Sequence, residues 1–511
     1  MLRRSLLALL CACFFVPHAG ATWSIVVVNR RTGEVAVGAA TCIAQINLTR
    51  GLPAIVNGVG AGVIQSAGSS FDLPPMVEGM RAGLSPEELL EIVLSVEPNV
   101  PQLQTGIVTM EGSPVTFSGF GVGPAKLGVV GEVGDLAYAI QGNVLAGQAV
   151  VLQAERALLD AEGDLGQKLL AGMIAARQYG GDGRCSCTLE NFGKDADDCG
   201  SPPESFGKSA HVGFMLLARQ GDLEAPCVQA NGIDCANRGY HMRLIIRGSN
   251  AQIQDPDPID QLVGRYANWR AERLGRPDGV LSRVSKPVPM PADGRTRQVI
   301  TVQLVDIDGR ALTHGRPRLE IVALNDDHTL TRIEEIENHQ DGTYSITIRS
   351  ADSPSTDTFV IRARDDLLDM ALYPFLEIES SATQTLYVGN SGISAGQGAA
   401  VPMVLSVPDM ARADYLILGS LEPVDTGLRQ ATGLLPLGND PILAFTVAAA
   451  GHEEYLPGTI GRLDEHGRAE ASFRPPPGVL IDLIGRRLEW AAIVAGKDVR
   501  ITNVAGLEIL P

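Results

Sequence analysis

Thr22 is the residue with the most chemistry to offer, and the residues ahead of it are the reason. Arg3 and Arg4, an apolar run from Leu6 to Val16 and the small residues Ala19-Gly20-Ala21 follow in the order of a cleavable secretory signal. Cleavage after Ala21 would leave Thr22 with a free α-amino group. A threonine so placed holds a hydroxyl nucleophile and a base on one residue. Its amine, with a pKa of roughly 7.7–8.0, is in useful part neutral at neutral pH. It takes the hydroxyl proton, directly or through a water, as the oxygen attacks an acyl carbon. Locked in a peptide bond, the same nitrogen is no base. The apolar run is too short to span a bilayer, and no later stretch is long and apolar enough to do so. A secreted, periplasmic or cell-surface location is therefore expected. The rival reading, lipid attachment at Cys13 after Leu10-Cys11-Ala12, leaves a very short apolar core ahead of the cysteine.

Acyl transfer also needs donors for a developing oxyanion. Gln141-Gly142-Asn143 closes an apolar strand and offers a backbone amide and two side-chain amides; the plainer reading is a strand end with polar caps. Gln65 lines the same cleft or satisfies backbone groups near its glycines. Asp182 and Arg184, in a Gly-rich loop, read first as an ion pair ordering that loop and second as substrate contacts. His211 and His241 lie in or beside apolar runs, as structural histidines do, and no Ser-His-Asp arrangement is evident.

The elements that must position these residues are mixed. Trp23–Asn29 and Val35–Cys42 flank the turn Arg31-Thr32-Gly33-Glu34, so the exported chain opens with a hairpin. Ala54–Gln65 is an apolar stretch broken by Gly58, Gly60 and Gly62, as in a bulged strand or one approached closely by other backbone. Ser85-Pro86-Glu87-Glu88 starts a helix with a capping box. Strands are expected at Gly106–Met110, Leu136–Gln141, Val212–Arg219 and His241–Arg247, and helices at Gln148–Asp160, Leu165–Arg177 and Ile259–Leu274. This order points to two stacked sheets covered by helices, an α+β layered domain.

With those motifs in place, the first half of the chain resembles a bacterial family, domain-of-unknown-function family 1028, which is grouped with the N-terminal nucleophile hydrolases. The resemblance rests on Thr22-Trp-Ser-Ile-Val-Val-Val-Asn-Arg-Arg-Thr-Gly-Glu-Val-Ala-Val-Gly38, Gly58-Val-Gly-Ala-Gly-Val-Ile-Gln65, Tyr138-Ala-Ile-Gln-Gly-Asn-Val-Leu-Ala-Gly147, Gly180-Gly-Asp-Gly-Arg184 and Lys208-Ser-Ala-His-Val-Gly-Phe-Met-Leu-Leu217. It implies a four-layer αββα sandwich with the N-terminal residue at the end of a central strand. An exported amide-bond hydrolase using Thr22 is the activity it suggests, with a non-catalytic binding or structural protein on the same fold as the alternative. Two departures matter. Thr-dependent relatives such as proteasome subunits carry a lysine on a neighbouring strand, whereas no lysine occurs between Thr22 and Lys126. The α-amine would act alone. Cys185–Phe206 resembles an insertion that staples a loop.

Two of the eight cysteines sit in the signal; Cys42, Cys185, Cys187, Cys199, Cys227 and Cys235 remain. An even number in an exported chain predicts disulfides, with Cys185 and Cys187 too close to pair with each other. A zinc site is the weaker reading, since the paired Cys-x-x-Cys knuckles are missing. No cofactor or metal is called for. The net charge of −18 argues against a nucleic-acid partner.

The 511 residues divide into a signal (1–21), the α+β domain (22–275, with its insertion at 185–206), a Pro-rich linker (276–296), an immunoglobulin-like β-sandwich (297–380), a second linker (381–399) and a further β-sandwich (400–511). Asp306-x-Asp308-Gly309 lacks the remaining ligands of a calcium loop and reads as a hairpin turn. The expected partners are a small or polymeric amide substrate and, through the β modules, cell-envelope material.

Overall fold

A computed structural model of the chain describes residues 22–123, 125–187, 199–222, 227–229, 232–233, 235–236, 239–247, 254–324, 329–382, 385–421, 428–430 and 433–511. The signal-like stretch 1–21 and the 188–198 part of the cysteine-rich insertion lie outside these residues. Two compact units divide the chain, one ending at Glu272 and the other beginning at Arg273.

The first unit is mixed α and β. Its elements are β1 (Thr22–Asn29), β2 (Glu34–Thr41), β3 (Pro53–Val56), β4 (Gly60–Ser66), α1 (Leu73–Arg81), α2 (Pro86–Val96), β5 (Leu103–Thr109), β6 (Val115–Ser118), β7 (Leu127–Val133), β8 (Leu136–Asn143), α3 (Ala149–Asp160), α4 (Leu165–Gln178), α5 (Gly183–Ser186), β9 (Val212–Ala218), β10 (Val228–Gln229), β11 (Gly232–Ile233), β12 (Met242–Ile246) and α6 (Pro258–Ala271). Six strands form one sheet in the order β12-β9-β2-β1-β8-β7, and four form another in the order β3-β4-β5-β6. All their pairings are antiparallel.

Strand β1 carries the β-branched run Ile25–Val28 because both of its faces are covered there. Ile25 and Val27 point into a core shared with α3, α4 and α6, while Val26 and Val28 point into a core shared with Ile55, Ala61, Val63 and Val108 of the second sheet. The outer face of the second sheet buries Ile64, Leu103 and Ile107 against Met76, Met80, Leu89 and Val93 of α1 and α2. The helices start where the sequence places caps. Ser85 and Glu88 form a reciprocal capping box on α2, and Asp164 and Gln167 form another on α4.

The stretch Ala54–Gln65 is a correction. It is not one bulged strand but the hairpin β3–β4, with Gly58 in the left-handed region at φ 68°. Gly60 does meet close backbone: an added Cβ would lie 2.5 Å from the carbonyl oxygen of Val108.

The second unit is largely β-sandwich-like. Sheets containing Arg297–Gln303, Thr343–Arg349 and Arg332–Asn338 on one side, and Leu376–Ser381, Ser355–Arg364 and Arg318–Ala323 on the other, enclose Ile300, Tyr344, Ile346 and Ile361. A further pair of sheets encloses Trp490, Leu488, Leu405 and Leu507. Neither the Pro-rich join nor the second one runs free of these sheets. Arg283–Val284 pairs with Gln303–Val302 and Met290–Pro291 with Ser380–Ser381, while Leu386–Val388 and Gly392–Ser394 are strands and Tyr387 is buried in the first of these cores. Residues 306–310 form the turn expected of them, with the Asp306 amide donating to the Arg310 carbonyl.

Candidate functional site

Thr22 is the first residue of β1, near the middle of the six-stranded sheet, and is 3% exposed. Alternation along the strand sends Trp23 to the helix side and the side chain of Ser24 to the four-stranded sheet, where Gln65 meets it. Register does the rest. Asn143 is the cross-strand partner of Thr22, Gln141 is the partner of Ser24, and Gln65 is paired with Gln104 in the second sheet. Two polar pairs on one sheet therefore face an amide pair on the other.

These groups form one closed network. The Ser24 hydroxyl donates to Gln65 Oε1 (2.7 Å) and accepts from Gln141 Nε2 (2.6 Å). Gln65 Nε2 donates to the Thr22 carbonyl (3.1 Å) and to Gln104 Oε1 (2.7 Å). Asn143 Nδ2 donates to the same Gln104 oxygen (2.9 Å) and, more distantly, to the Thr22 carbonyl (3.5 Å). Gln104 Nε2 in turn donates to the Gly142 carbonyl (3.0 Å) and to Ser118 Oγ (2.9 Å). All of these members carry neutral side chains. Asn143 Oδ1 is the exception to the closure: it is buried and has no hydrogen-bond partner among the described residues.

The two strands that end in this network end under strain. Ser66, directly after Gln65, has φ 65°, and Val144, directly after Asn143, has φ 50°. A β-branched residue in the left-handed region is costly and persists where its surroundings over-determine it. Gly142 is fixed by packing, since an added Cβ would fall 2.7 Å from Leu145 Cδ2 and 3.1 Å from Trp23 Cβ. Its backbone lies in the ladder between β1 and β7.

Asp182 and Arg184 stand at the same end of the sheet. Asp182 is fully buried and accepts from the Cys42 amide (2.7 Å), just past β2. The Arg184 guanidinium grips Asp182 at 2.8 Å and reaches Thr41 Oγ1 at 3.2 Å. The pair is the loop-ordering ion pair that the sequence suggested. A disulfide joins Cys42 to Cys185 across 143 residues, and others join Cys187 to Cys199 and Cys227 to Cys235. His211 approaches the first of these, but both sulfurs are spent on each other and offer a metal no thiolate. Burial, reinforced by the nearby Lys208 ammonium, pushes the His211 pKa down and favours the neutral ring. His241 is buried edge-on against Trp269, with ring centroids 5.2 Å apart.

The network contains members that sequence reading missed: Ser24, Gln104 and Ser118. Their signal was present, because Ser24 sits two residues from Thr22 in an otherwise apolar strand and Gln104 interrupts another. Lys208 was also passed over; it is fully buried beside Ser209, and burial lowers its pKa while Asp255 and Asp257 oppose the shift. Lys126, the first lysine of the sequence, is engaged elsewhere, donating to the carbonyls of Gly119, Phe120 and Val122.

Residues 22–190 match the model of a family described as a family of unknown function, DUF1028, and the match begins at Thr22. No curated protein matches the chain. Among solved structures, a Silicibacter pomeroyi protein of the same family model is 18% identical, with 50% of this chain and 94% of that chain covered and a TM-score of 0.33. The Yersinia pseudotuberculosis adhesin InvE is 15% identical, with 46% and 61% covered and a TM-score of 0.19. Domains 5-6 of the S-layer protein SbsC are 9% identical, with 45% and 95% covered and a TM-score of 0.21.

Proposed function

We propose that this chain is an exported amide-bond hydrolase whose nucleophile is Thr22, freed by removal of residues 1–21. The observation that carries the reading is the position of Thr22: first residue of a central strand, buried, with its carbonyl held by the Gln65 and Asn143 amides. The family match starting at the same residue adds to it. So does the stacking of helices, sheet, sheet and helices, which is the order a four-layer αββα sandwich of the N-terminal nucleophile kind requires.

In this proposal the Thr22 hydroxyl attacks the amide carbon while its own amine takes the proton. At its ordinary pKa of roughly 7.7–8.0 a useful fraction of that amine is neutral and able to take the proton at neutral pH. The amide C–N bond then breaks, the amine returns the proton to the leaving nitrogen, and water hydrolyses the Thr22 ester. Asn143, the cross-strand neighbour of Thr22, is the favoured oxyanion donor, exchanging the long 3.5 Å contact of its Nδ2 with the Thr22 carbonyl for the substrate oxygen. Gln141 and Gly142 serve by holding Ser24 and the strand end in place rather than by touching substrate.

One observation favours a second reading, a non-catalytic binding or structural protein on the same fold. The amides of Gln65, Gln104 and Gln141 already satisfy one another, as in a purely structural polar layer. Turnover separates the two. A panel of N-acyl amides is incubated with protein beginning at Thr22, with its Thr22→Ala form and with an Asn143→Ala form. Release of amine that is lost in Thr22→Ala and falls by about 10²–10³ in Asn143→Ala supports the hydrolase; release that Thr22→Ala leaves unchanged refutes it.

A further inference from the structure

Asn143 uses only half of its side chain. Its Nδ2 donates to Gln104 Oε1 at 2.9 Å and approaches the Thr22 carbonyl at 3.5 Å, whereas its Oδ1 is buried and accepts from none of the described residues. Which end faces which way is fixed by the network itself. The Gly142 carbonyl can only accept, so the end of Gln104 that meets it at 3.0 Å is Nε2. Oε1 of Gln104 therefore faces Asn143, which answers with Nδ2 and leaves Oδ1 over. An acceptor buried without a donor costs stability, and each one in a native protein calls for an explanation.

Removal of residues 1–21 creates the kind of donor that Oδ1 lacks. In the intact chain the Thr22 nitrogen carries a single peptide N–H, held in the plane of its peptide bond. Once freed, the same nitrogen carries two or three N–H donors and turns about its bond to Cα. Asn143 is the cross-strand partner of Thr22, and residues so opposed hold their Cβ atoms roughly 4.5–5.5 Å apart. The two side chains rise from the same face of the sheet, since Trp23 takes the helix side and Asn143 meets Gln104 of the other sheet.

We infer that Asn143 Oδ1 accepts a hydrogen bond from the freed Thr22 amine and sets its rotation, leaving the amine lone pair toward the Thr22 hydroxyl. The inference rests on Thr22 as the nucleophile, and it gives Asn143 a positioning role through its oxygen beside the donor role of its nitrogen. An amide suits this task better than a carboxylate. A negative charge in the same place would hold the amine as ammonium, which has no lone pair to take the hydroxyl proton.

Two measurements on the full chain beginning at Thr22 test this. A crystal structure of the unaltered protein should place the Thr22 nitrogen within about 3.2 Å of Asn143 Oδ1. Isotope labelling of threonine nitrogen lets NMR titrate the Thr22 amine directly. In Asn143→Asp that amine should hold its proton at least about tenfold more tightly, the lower end of what an adjacent opposite charge does. In Asn143→Leu, similar in size and without an acceptor, the titration midpoint should fall below that of the unaltered protein. A crystal structure with Oδ1 bonded to a water or another side chain and the Thr22 nitrogen out of reach overturns the inference. So does a midpoint that is the same in all three proteins. Neither measurement uses turnover, so the two readings fail separately. An inactive protein that shows the contact refutes only the hydrolase, and an active one that lacks it refutes only this role of Asn143.

Discussion

Gly106 shows how narrowly the polar layer around Thr22 is fitted. It lies in the four-stranded sheet, and a Cβ there would come within 2.0 Å of Gln141 Oε1 from the six-stranded sheet. Gly106→Ala must therefore displace Gln141 from Ser24, with a stability loss of about 1–3 kcal/mol, measurable by urea unfolding. Gln104→Leu strikes the network at its hub. It leaves the amides of Gln65 and Asn143 and the Gly142 carbonyl without their present partner. A loss of roughly 2–4 kcal/mol is expected, and a near-neutral result would mean that the layer holds little of the fold together. Part of this was readable in advance. Thr22, Gln65, Gln141 and Asn143 were identifiable as polar residues at the ends of apolar strands. That Gln65 and Gln141 would meet at Ser24 was not, because they belong to different sheets and facing across a sandwich leaves no spacing in a sequence.

The elements around the site are held by two cross-links of different chemistry. The Cys42–Cys185 disulfide ties the end of β2 to the Asp182–Arg184 turn. Replacing both cysteines by alanine should cost roughly 2–4 kcal/mol through the long loop released, and hydrogen exchange should rise at residues 182–187 before it rises in β2. The second link is a carboxyl pair. Asp72, at the start of α1, is buried against Glu97, whose carboxylate accepts from the Ser69 amide at 2.6 Å and the Asn99 amide at 2.5 Å. Burial first, and Glu97 second, push the Asp72 pKa up to about 8. The folded protein thus keeps a proton that the unfolded chain releases near pH 4. The stabilisation is full below that point, is lost as pH rises, and is gone above about 8. Asp72→Asn should match the parent protein near pH 4 and exceed it by on the order of 2 kcal/mol at pH 9. Denaturant melts at both pH values check this; equal stability at pH 9 would remove Asp72 as the titrating group. Capped helices such as α2 and α4 were legible because their signals are local. The β3–β4 hairpin was not, because a glycine-rich apolar run fits either a bulge or a turn until the partner strand is known.

The whole chain places its covalent cross-links unevenly. The three disulfides among the described residues fall between Cys42 and Cys235, within the first compact unit, and the unit beginning at Arg273 contains no cysteine. Under reductant, hydrogen-exchange protection should fall in peptides from residues 22–272 and persist in those from 273–511; a uniform fall would show that the second unit depends on the first. The β character of that second unit was readable from alternating residues such as Arg297–Gln303. Its extent was not, since the two- and three-residue strands inside the joins are too short to show a period. Three disulfides agree with life in an oxidising compartment, and no helix among the described residues is long and apolar enough to cross a membrane. The export that would free Thr22 is the step on which the chemistry turns. The most direct measurement is tandem mass spectrometry of the N-terminal peptide from exported protein treated with a β-lactone. The expected peptide begins with an unmodified amine at Thr22, reads Thr22-Trp23-Ser24, and carries the acyl adduct on the Thr22 hydroxyl. A peptide that begins at another residue, one whose amine is permanently capped, or one that begins at Thr22 and takes up no label would contradict the nucleophile.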